Sequence, residues 1–309
     1  MDPAPLLNRL DRNRRRLGRW ARREGIEAWR LYDRDMPEFP LAIDRYGEAL
    51  HVQVFERRRP LGEAEIATLR EALLDHFGLQ PLQLAIKTRR RQRGNSQYTR
   101  LAAEAPSFKV IEHGLRFEVN LHRYLDTGLF LDHRRTRRLV GELAAGRRLL
   151  NLFAYTGSFT VHAAAGGARR TLSVDLSRTY QAWSRRNLVH NGLDDPQRHQ
   201  FVQSDVPAFL ERMRRARARF DLFVLAPPSF SNSKRTRQTF DVQRDQLPLL
   251  RATLDLLAPD GILFFSNNRR GFRLDPRVHD WAEVEEITDQ TVPPDFERHR
   301  PHRCWRLTR

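Results

Sequence analysis

The stretch Leu-Leu-Asn-Leu-Phe-Ala-Tyr-Thr-Gly-Ser-Phe, residues 149–159, decides the fold. Its apolar run predicts a buried strand over 149–153, followed by a turn and by a helix from Phe159. Gly157 lets the backbone of the turn pass close to a ligand, and a helix start presents N–H groups without intrahelical partners. Because the turn has one glycine, it lacks the fingerprint of dinucleotide-binding proteins. The stretch therefore predicts the opening of an α/β sheet without a pyrophosphate site.

The same alternation of strand and helix continues to the C-terminal side. Predicted strands cover residues 170–175, 199–203, 220–225 and 261–266, and predicted helices cover 159–165, 178–191, 207–217 and 244–257. Alternation of this kind is typical of right-handed crossovers in a doubly wound parallel sheet. Two late strands, near 284–288 and 302–307, are predicted to add an antiparallel edge. The predicted fold class is α/β, with a mostly parallel seven-stranded Rossmann-like sheet.

The N-terminal part has a different pattern and predicts a small α+β domain. Residues 6–24 read as a basic amphipathic helix, 63–77 as a second helix ending at Gly78, and 28–32, 41–44 and 50–55 as a small antiparallel sheet. A further strand is predicted over 82–88 and a hairpin over 108–121 around His113-Gly114. The predicted boundary lies near residue 125, which gives an N-terminal domain of residues 1–125 and a second domain of residues 126–309.

Composition narrows the class of partner. Lys and Arg number 55 against 38 Asp and Glu, a formal net charge of +17, which favours a polyanion such as RNA over a merely solvated basic surface. Cys304 is the single cysteine, so an intramolecular disulfide and a multi-cysteine metal site are excluded, and no metal is predicted. The absence of a long apolar run or a signal-peptide pattern predicts a cytoplasmic protein without a membrane span.

A basic run at residues 87–98 predicts a loop that meets phosphate, although a charged connector without a partner would look the same. The predicted RNA contacts are Lys87, Arg89, Arg90, Arg91, Arg93 and Lys234.

Two acidic residues follow predicted strands at the edge where open α/β sheets bind ligands. Asp175 ends the second strand about twenty residues after the glycine turn, where a carboxylate can accept hydrogen bonds from both ribose hydroxyls. Asp205 ends the third strand, where it could accept from an adenine amino group. Each position also suits a helix N-cap, made by Asp175 or Ser177 in the first case and by Asp205 before Pro207 in the second. Both readings stay open at this point.

The fourth strand ends in Ala226, followed by Pro227 and Pro228. Two adjacent prolines fix a rigid extended turn, and Phe230 beside them can stack a base drawn into the site. A Pro-Pro turn alone is usually structural. Its place at a strand end, after the two acidic positions, favours a role in catalysis.

Taken together, these residues resemble the large-subunit ribosomal RNA methyltransferases, and most closely the guanine-N7 methyltransferase half of a bifunctional bacterial enzyme that modifies 23S ribosomal RNA. The resemblance rests on residues 151–157, Asp175 and Asp205, the run Pro-Pro-Ser-Phe-Ser-Asn-Ser-Lys at 227–234, and Phe-Ser-Asn-Asn at 265–268. It extends from about residue 8 to the C-terminus and includes 126–134 and 240–245. Nothing in this chain resembles the guanine-N2 half, so a free-standing enzyme is expected.

The resemblance implies S-adenosylmethionine as cofactor, 23S ribosomal RNA or a large-subunit precursor as partner, and an RNA-positioning role for the N-terminal domain. It implies a segment folded over the cofactor that includes Asp132 and Arg134. The other implied cofactor contacts are Asn151, Phe153, Tyr155, Thr156, Gly157, Asp175, Leu176, Ser177, Asp205, Val206 and Ala226. The implied catalytic positions are Pro227, Pro228, Phe230 and Asn232.

One position departs from the family, which usually has Asp where this chain has Ala226. Loss of an acceptor there counts against methylation of an amine, whereas guanine N7 already has a lone pair and needs no general base. Two rival functions are kept. One is methylation of cytosine at position 5, with Cys304 as the nucleophile; the other is a non-catalytic RNA-binding or ribosome-assembly factor.

Overall fold

The computed structural model describes residues 2–55, 60–89, 105–231 and 239–309, apart from the side chain of Arg89. The predicted site residues Arg90, Arg91, Arg93, Asn232 and Lys234 lie outside the described residues. The chain divides into two units: unit 1 contains residues 1–131 and 294–299, and unit 2 contains residues 132–293 and 300–309. The predicted boundary near residue 125 and the RNA-positioning role of the first domain stay predictions.

Unit 1 is built on a four-stranded sheet with strand order β1-β2-β3-β4. Its elements are α1 (Ala4–Arg23), β1 (Ala28–Asp33), β2 (Leu41–Tyr46), β3 (Ala49–Phe55), α2 (Glu63–Phe77) and β4 (Leu84–Arg89). The first three strands are antiparallel, as predicted, but β4 runs parallel to β3. The predicted antiparallel sheet of three strands is thus confirmed. No direction was predicted for the further strand β4, which runs parallel because α2 carries the chain back to the starting end before β4 begins.

Helix α1 covers this sheet because its apolar residues recur at helical spacing. Leu6, Leu10, Leu17 and Ala21 are buried in one core cluster with sheet residues such as Val52. The predicted hairpin is also present, as β5 (Phe108–Glu112) and β6 (Leu115–Val119). His113 and Gly114 between them have φ angles of 52° and 81°, the backbone that a tight two-residue hairpin turn requires.

Among the described residues of unit 2, seven strands form one sheet in the order β14-β15-β13-β10-β7-β8-β9. Its strands are β7 (Arg148–Leu152), β8 (Arg170–Asp175), β9 (His199–Gln203), β10 (Phe220–Leu225), β13 (Leu257–Asn267), β14 (Glu283–Glu286) and β15 (Arg303–Thr308). Five strands are parallel, and β15 joins them antiparallel to β13. The predicted fold class is confirmed.

Helices flank this sheet, and a short two-stranded ribbon lies outside it. The helices are α3 (Arg134–Glu142), α4 (Ser158–Ala165), α5 (Arg178–Val189), α6 (Val206–Arg215), α7 (Val242–Leu254) and α8 (Thr288–Thr291); the ribbon is β11 (Phe230–Ser231) with β12 (Phe240–Asp241). No helix in the described part of the chain is both long and apolar enough to span a bilayer.

The sheet order changes direction at β7, which lies between β10 and β8. In open α/β sheets the crevice beyond the carboxyl end of such a strand is where ligands bind. We therefore expect the residues after β7, β8, β9 and β10 to form the ligand site.

Candidate active site

The loop after β7 has an unusual backbone. Phe153, Tyr155 and Gly157 have φ angles of 58°, 51° and 71°, in the left-handed region. Residues other than glycine adopt this region only when their surroundings hold them there, at an expense of roughly 1–3 kcal/mol each, and they concentrate at functional sites.

Three side chains hold this loop in place. The Tyr155 N–H donates to Asp175 Oδ2 at 2.9 Å, and Ser184 Oγ donates to the Tyr155 carbonyl at 2.9 Å. Asn187 Nδ2 donates to the Thr156 carbonyl, also at 2.9 Å. Sequence reasoning missed Ser184 and Asn187. Their signal was available, because both are small polar residues on the buried face of a helix that was predicted correctly.

Gly157 is required for space as well as for its φ angle. A Cβ atom built there would lie 2.7 Å from Ser184 Cβ and 2.8 Å from Ser184 Oγ. The loop is thus in direct contact with α5. Glycine is required at position 157 by this packing as well as by the φ angle.

Asp175 ends β8 and points its carboxylate back to this loop. Besides the Tyr155 N–H, it accepts from the Ser177 N–H at 2.8 Å. Burial raises the pKa of Asp175 to about 6, although these backbone donors favour the ionised form. The N-cap of α5 is Ser177, whose Oγ accepts from the Tyr180 N–H at 3.3 Å. Leu176 lies between them, and its carbonyl accepts from Gln203 Nε2 at 3.0 Å.

Asp205 ends β9 at the same edge of the sheet, because the Ser204 N–H donates to the Asp175 carbonyl at 3.2 Å. Its carboxylate accepts from the Ala208 N–H at 3.4 Å and caps α6, while Val206 is buried. The capping role is therefore present, and a contact with adenine stays a prediction.

Asn151 lies inside the sheet. It is 1% exposed, and its Nδ2 donates to Thr160 Oγ1 at 3.0 Å. Thr160 Oγ1 in turn lies 2.6 Å from Ser173 Oγ. The structure thus places Asn151 in a polar link between β7, α4 and β8, one layer below the loop that it precedes.

The Pro-Pro turn follows β10 beside the end of β13, since Leu225 pairs with Phe265. Ser229 Oγ donates to Asn268 Oδ1 at 2.7 Å, which ties this turn to the residues after β13. Pro227 is buried, Ala226 and Pro228 are partly buried, and Phe230 is 50% exposed. The two prolines restrict the turn, and the ring of Phe230 beside it is exposed to solvent.

The loop after β7 and the ribbon after β10 meet through aromatic rings. The ring centroids of Phe153 and Phe240 are 5.9 Å apart. The structure therefore brings Phe153, Tyr155, Thr156, Gly157, Asp175, Asp205 and the Pro-Pro turn to one edge of the sheet of unit 2.

Asp132 is engaged by two histidines that sequence reasoning missed. Its Oδ2 lies 3.1 Å from His302 Nδ1 and 3.8 Å from His133 Nε2, and the two rings stack with centroids 4.5 Å apart. These groups lie within 4.8 Å of one another and are of a type that can ligate a metal ion. The hydrogen bond and the stacking account for the arrangement without one. Arg134, the neighbouring predicted contact, is 1% exposed.

Cys304 lies in β15, opposite Ser266 of β13. Its side chain is 0% exposed, and burial raises the pKa of the thiol to about 12. Because the thiol is protonated, it is not in the thiolate form that acts as a nucleophile. Because it is buried, a base in solution cannot reach it.

In unit 1, Lys87 does not point freely into solvent. Its Nζ donates to the carbonyls of Tyr124 and Leu125, and burial lowers its pKa to about 8. A contact of Lys87 with RNA stays a prediction.

Comparison with known families gives the site its context. The family model described as S-adenosylmethionine-dependent methyltransferase matches residues 40–293. The chain belongs to this methyltransferase family. It is 49% identical over 310 residues to the ribosomal RNA large subunit methyltransferase K of Neisseria meningitidis serogroup B, covering 99% of this chain and 87% of that one.

Longer relatives match over part of their length. The chain is 50% identical to the ribosomal RNA large subunit methyltransferase K/L of Pseudomonas paraeruginosa over 97% of its own length but spans 42% of that protein. A methyltransferase solved in complex with SAH aligns with a TM-score of 0.79 at 26% identity, covering 99% of this chain and 82% of that one. The predicted resemblance and the predicted cofactor, S-adenosylmethionine, are confirmed.

The residues after β7, β8 and β9 suit this cofactor by their chemistry. An adenosine has ribose hydroxyls and an amino group that donate hydrogen bonds, and Asp175 and Asp205 place carboxylates at neighbouring strand ends. Gly157 has no Cβ, which lets the loop approach α5 closely. Which of these residues touch the cofactor remains a prediction.

Proposed function

We propose that this methyltransferase acts in the cytoplasm on 23S ribosomal RNA, or on a large-subunit precursor, and methylates N7 of a guanine. The observation that carries the proposal is the end of β10. There Ala226, Pro227 and Pro228 follow the strand, and none of these side chains can accept a proton. Guanine N7 suits such a site because it offers a lone pair and loses no proton before attack.

The roles of individual residues follow from their positions. Asp175 would hold the cofactor ribose and Asp205 its adenine, while Tyr155, Thr156 and Gly157 form the wall beside them. When bound, S-adenosylmethionine supplies an electrophilic methyl group. Pro227 and Pro228 would fix the edge against which the guanine rests, and Phe230 would stack on a base. Catalysis of this kind is an orientation task, in which alignment of the reacting atoms lowers the barrier.

The cytosine rival requires a thiolate that adds to the ring. Cys304 is buried, and its raised pKa keeps it protonated at neutral pH. This observation opposes Cys304 as a nucleophile.

A non-catalytic RNA-binding factor is the remaining rival, motivated by Ala226. It predicts RNA binding without methyl transfer. The raised pKa of Asp175 is typical of a carboxylate at a ligand site, which an enzyme and a factor that keeps the cofactor fold would share.

One experiment separates the three functions. The full chain is incubated with labelled S-adenosylmethionine and unmodified 23S ribosomal RNA, and the labelled nucleoside is identified after digestion. We expect 7-methylguanosine, with equal yield from a Cys304→Ser variant. Label in 5-methylcytidine that disappears in Cys304→Ser would overturn the proposal in favour of the cytosine route. RNA binding without label, also in an Ala226→Asp variant, would favour the non-catalytic factor.

A further inference from the structure

We propose that one face of α1 is the surface through which this chain docks on the phosphate backbone of its RNA; the inference rests on the proposed function. The arginine face, as we call it, consists of Arg12, Arg15, Arg16, Arg19, Arg22 and Arg23. All six side chains are exposed. It lies on a regular helix and includes no residue of the basic run at 87–98.

The spacing of these residues makes them one stripe. Steps of three and four positions keep side chains on the same side of a helix, so the six fall within roughly a third of its circumference. From Arg12 to Arg23 the stripe is about 16 Å long at 1.5 Å per residue. A row of guanidinium groups of that length can follow several successive phosphates of a nucleic-acid strand.

The charge of this face is not neutralised by neighbours. Helix α1 contains one acidic residue, Asp11, which pairs with Arg14 at 3.4 Å and with His76 at 3.2 Å. Within residues 2–55, 60–89, 105–231 and 239–309, no ion pair is found for any member of the arginine face. Some exposed arginines elsewhere do have a carboxylate partner: Arg214 pairs with Glu211 at 2.9 Å and Arg277 with Asp275 at 2.9 Å.

Repulsion along the stripe is a second sign of an external partner. Like charges at spacings of three and four destabilise a helix. Arg12 and Arg16, or Arg15 and Arg19, are such pairs. A polyanion relieves this repulsion and releases its own counterions on binding. The surface is thus complementary to phosphate in charge and in length.

A cavity of about 570 Å³ in unit 1 adjoins this face, and Arg12 and Arg16 contribute to its lining. The lining contains four acidic residues, Asp33, Asp35, Asp295 and Glu297. Asp35 is paired with Arg9 at 3.5 Å and with Arg298 at 3.2 Å, and Asp33 with Arg30 at 3.2 Å. The lining therefore has both signs of charge, and Arg12 and Arg16 are the two arginines that the arginine face contributes to it. A volume of this order is large enough to admit part of a nucleotide.

A membrane surface is the other anionic partner that a basic amphipathic helix can suggest. Binding to lipid requires a free apolar face on the helix. In α1 that face is occupied, since Leu6, Leu10 and Leu17 are buried in the core of unit 1. The geometry therefore favours RNA.

The test uses the full chain with three charges removed from the arginine face by Arg15→Gln, Arg19→Gln and Arg22→Gln. Glutamine is a good helix former, so the helix is expected to persist, which circular dichroism checks. The matched control is Arg138→Gln, Arg214→Gln and Arg277→Gln, which removes three exposed arginines that each have a carboxylate partner. Affinity for fluorescent single-stranded and duplex RNA is measured over a range of salt concentrations.

We expect the arginine-face variant to bind all RNA sequences at least about tenfold more weakly at low salt, with a salt slope reduced by about two to three, since each phosphate contact contributes about 0.7 to 0.9. The control variant is expected to keep the slope of the unmodified protein. Unchanged RNA affinity and slope in the arginine-face variant would overturn the proposal. So would loss of binding to phosphatidylglycerol vesicles with RNA binding intact, which would assign the face to a membrane.

Methyl transfer is measured on the same samples. If the protein methylates RNA but the arginine-face variant binds RNA as tightly as the unmodified protein, the docking surface alone is refuted. A protein that transfers no methyl group, yet loses RNA affinity with these arginines, refutes the catalytic proposal alone.

Discussion

Asp132 Oδ2 accepts a hydrogen bond from His302 Nδ1 at 3.1 Å, across 170 positions of sequence. His133 stacks on His302, and its ring meets that of Phe159 edge-on at a centroid distance of 5.9 Å. The two imidazoles hold the pKa of Asp132 below its usual range. The cluster therefore joins the start of α3 to the start of β15 through one carboxylate that contacts both rings of a stacked pair.

The first prediction concerns the pH dependence of stability. Burial lowers the pKa of His133 from 6.5 to about 3. Below about pH 6.5, His133 therefore becomes protonated in the unfolded chain but stays neutral in the folded protein. The contribution of neutral His133 to the free energy of unfolding is thus present at neutral pH and is lost as pH falls. Denaturant unfolding should show a loss of about 2 kcal/mol from this group between about pH 7 and pH 5.

A His133→Phe variant keeps the stacked ring and removes the titration. It should lose less stability than the unmodified protein over the same pH interval. An equal loss in both proteins would show that His133 titrates normally in the folded state.

The second prediction concerns Asp175. Its pKa is raised to about 6, so its contribution to stability is present at low pH and is lost as pH rises through about 6. Binding of a ribose requires the opposite state, because only the carboxylate accepts from both hydroxyls. Affinity for S-adenosylmethionine should therefore fall about tenfold between about pH 7 and pH 5.

Calorimetric titration with an Asp175→Asn variant checks this assignment. The variant should bind the cofactor weakly and without that pH dependence, yet remain folded at neutral pH. Wild-type affinity in the variant would place the ribose elsewhere.

Much of the sheet in unit 2 was predictable from sequence, for a local reason. The strands β8, β9 and β10 match the predicted bounds, because each is a short run ended by an acidic residue or a proline turn. Helix α7 ends at Leu254, before the predicted 257, because residues from Leu257 onward extend β13 instead. Apolar residues at a helix–strand junction suit either element, and pairing with β10 decides between them.

Relationships over long sequence distances were not predictable. The direction of β4 depends on the strand with which it pairs, and the sequence of one strand does not indicate which strand that is. His302 reaches Asp132 only because β15 adds to the sheet beside β13. For the cofactor site, the acidic strand ends were visible in sequence, whereas Ser184 and Asn187 act through contacts with a loop that precedes them by about thirty residues.

The third prediction concerns the buried thiol. Since burial raises the pKa of Cys304 to about 12, the folded protein should react with an alkylating reagent only as fast as it unfolds. Cys304→Ser should retain full methyl transfer. Rapid labelling of the folded protein, together with loss of activity, would contradict the burial of Cys304.

The fourth prediction separates the two reasons for glycine at position 157. Gly157→Ala should be destabilising through its left-handed φ angle of 71° and through collision with Ser184, 2.7 Å from the added Cβ. Gly192 is the matched control in unit 2, because its φ is 67° and an added Cβ would meet nothing within 4 Å. Gly192→Ala should reduce the free energy of unfolding by about 1 kcal/mol, and Gly157→Ala by about 3 kcal/mol, in denaturant titrations.

Because the same loop forms the predicted cofactor wall, Gly157→Ala should also weaken binding of S-adenosylmethionine, while Gly192→Ala should not. A double variant with Ser184→Ala removes the Oγ from the collision but not the Cβ. It should therefore recover only part of the lost stability. Complete recovery would mean that the hydroxyl alone opposes a side chain at position 157, and that α5 can otherwise yield to the loop.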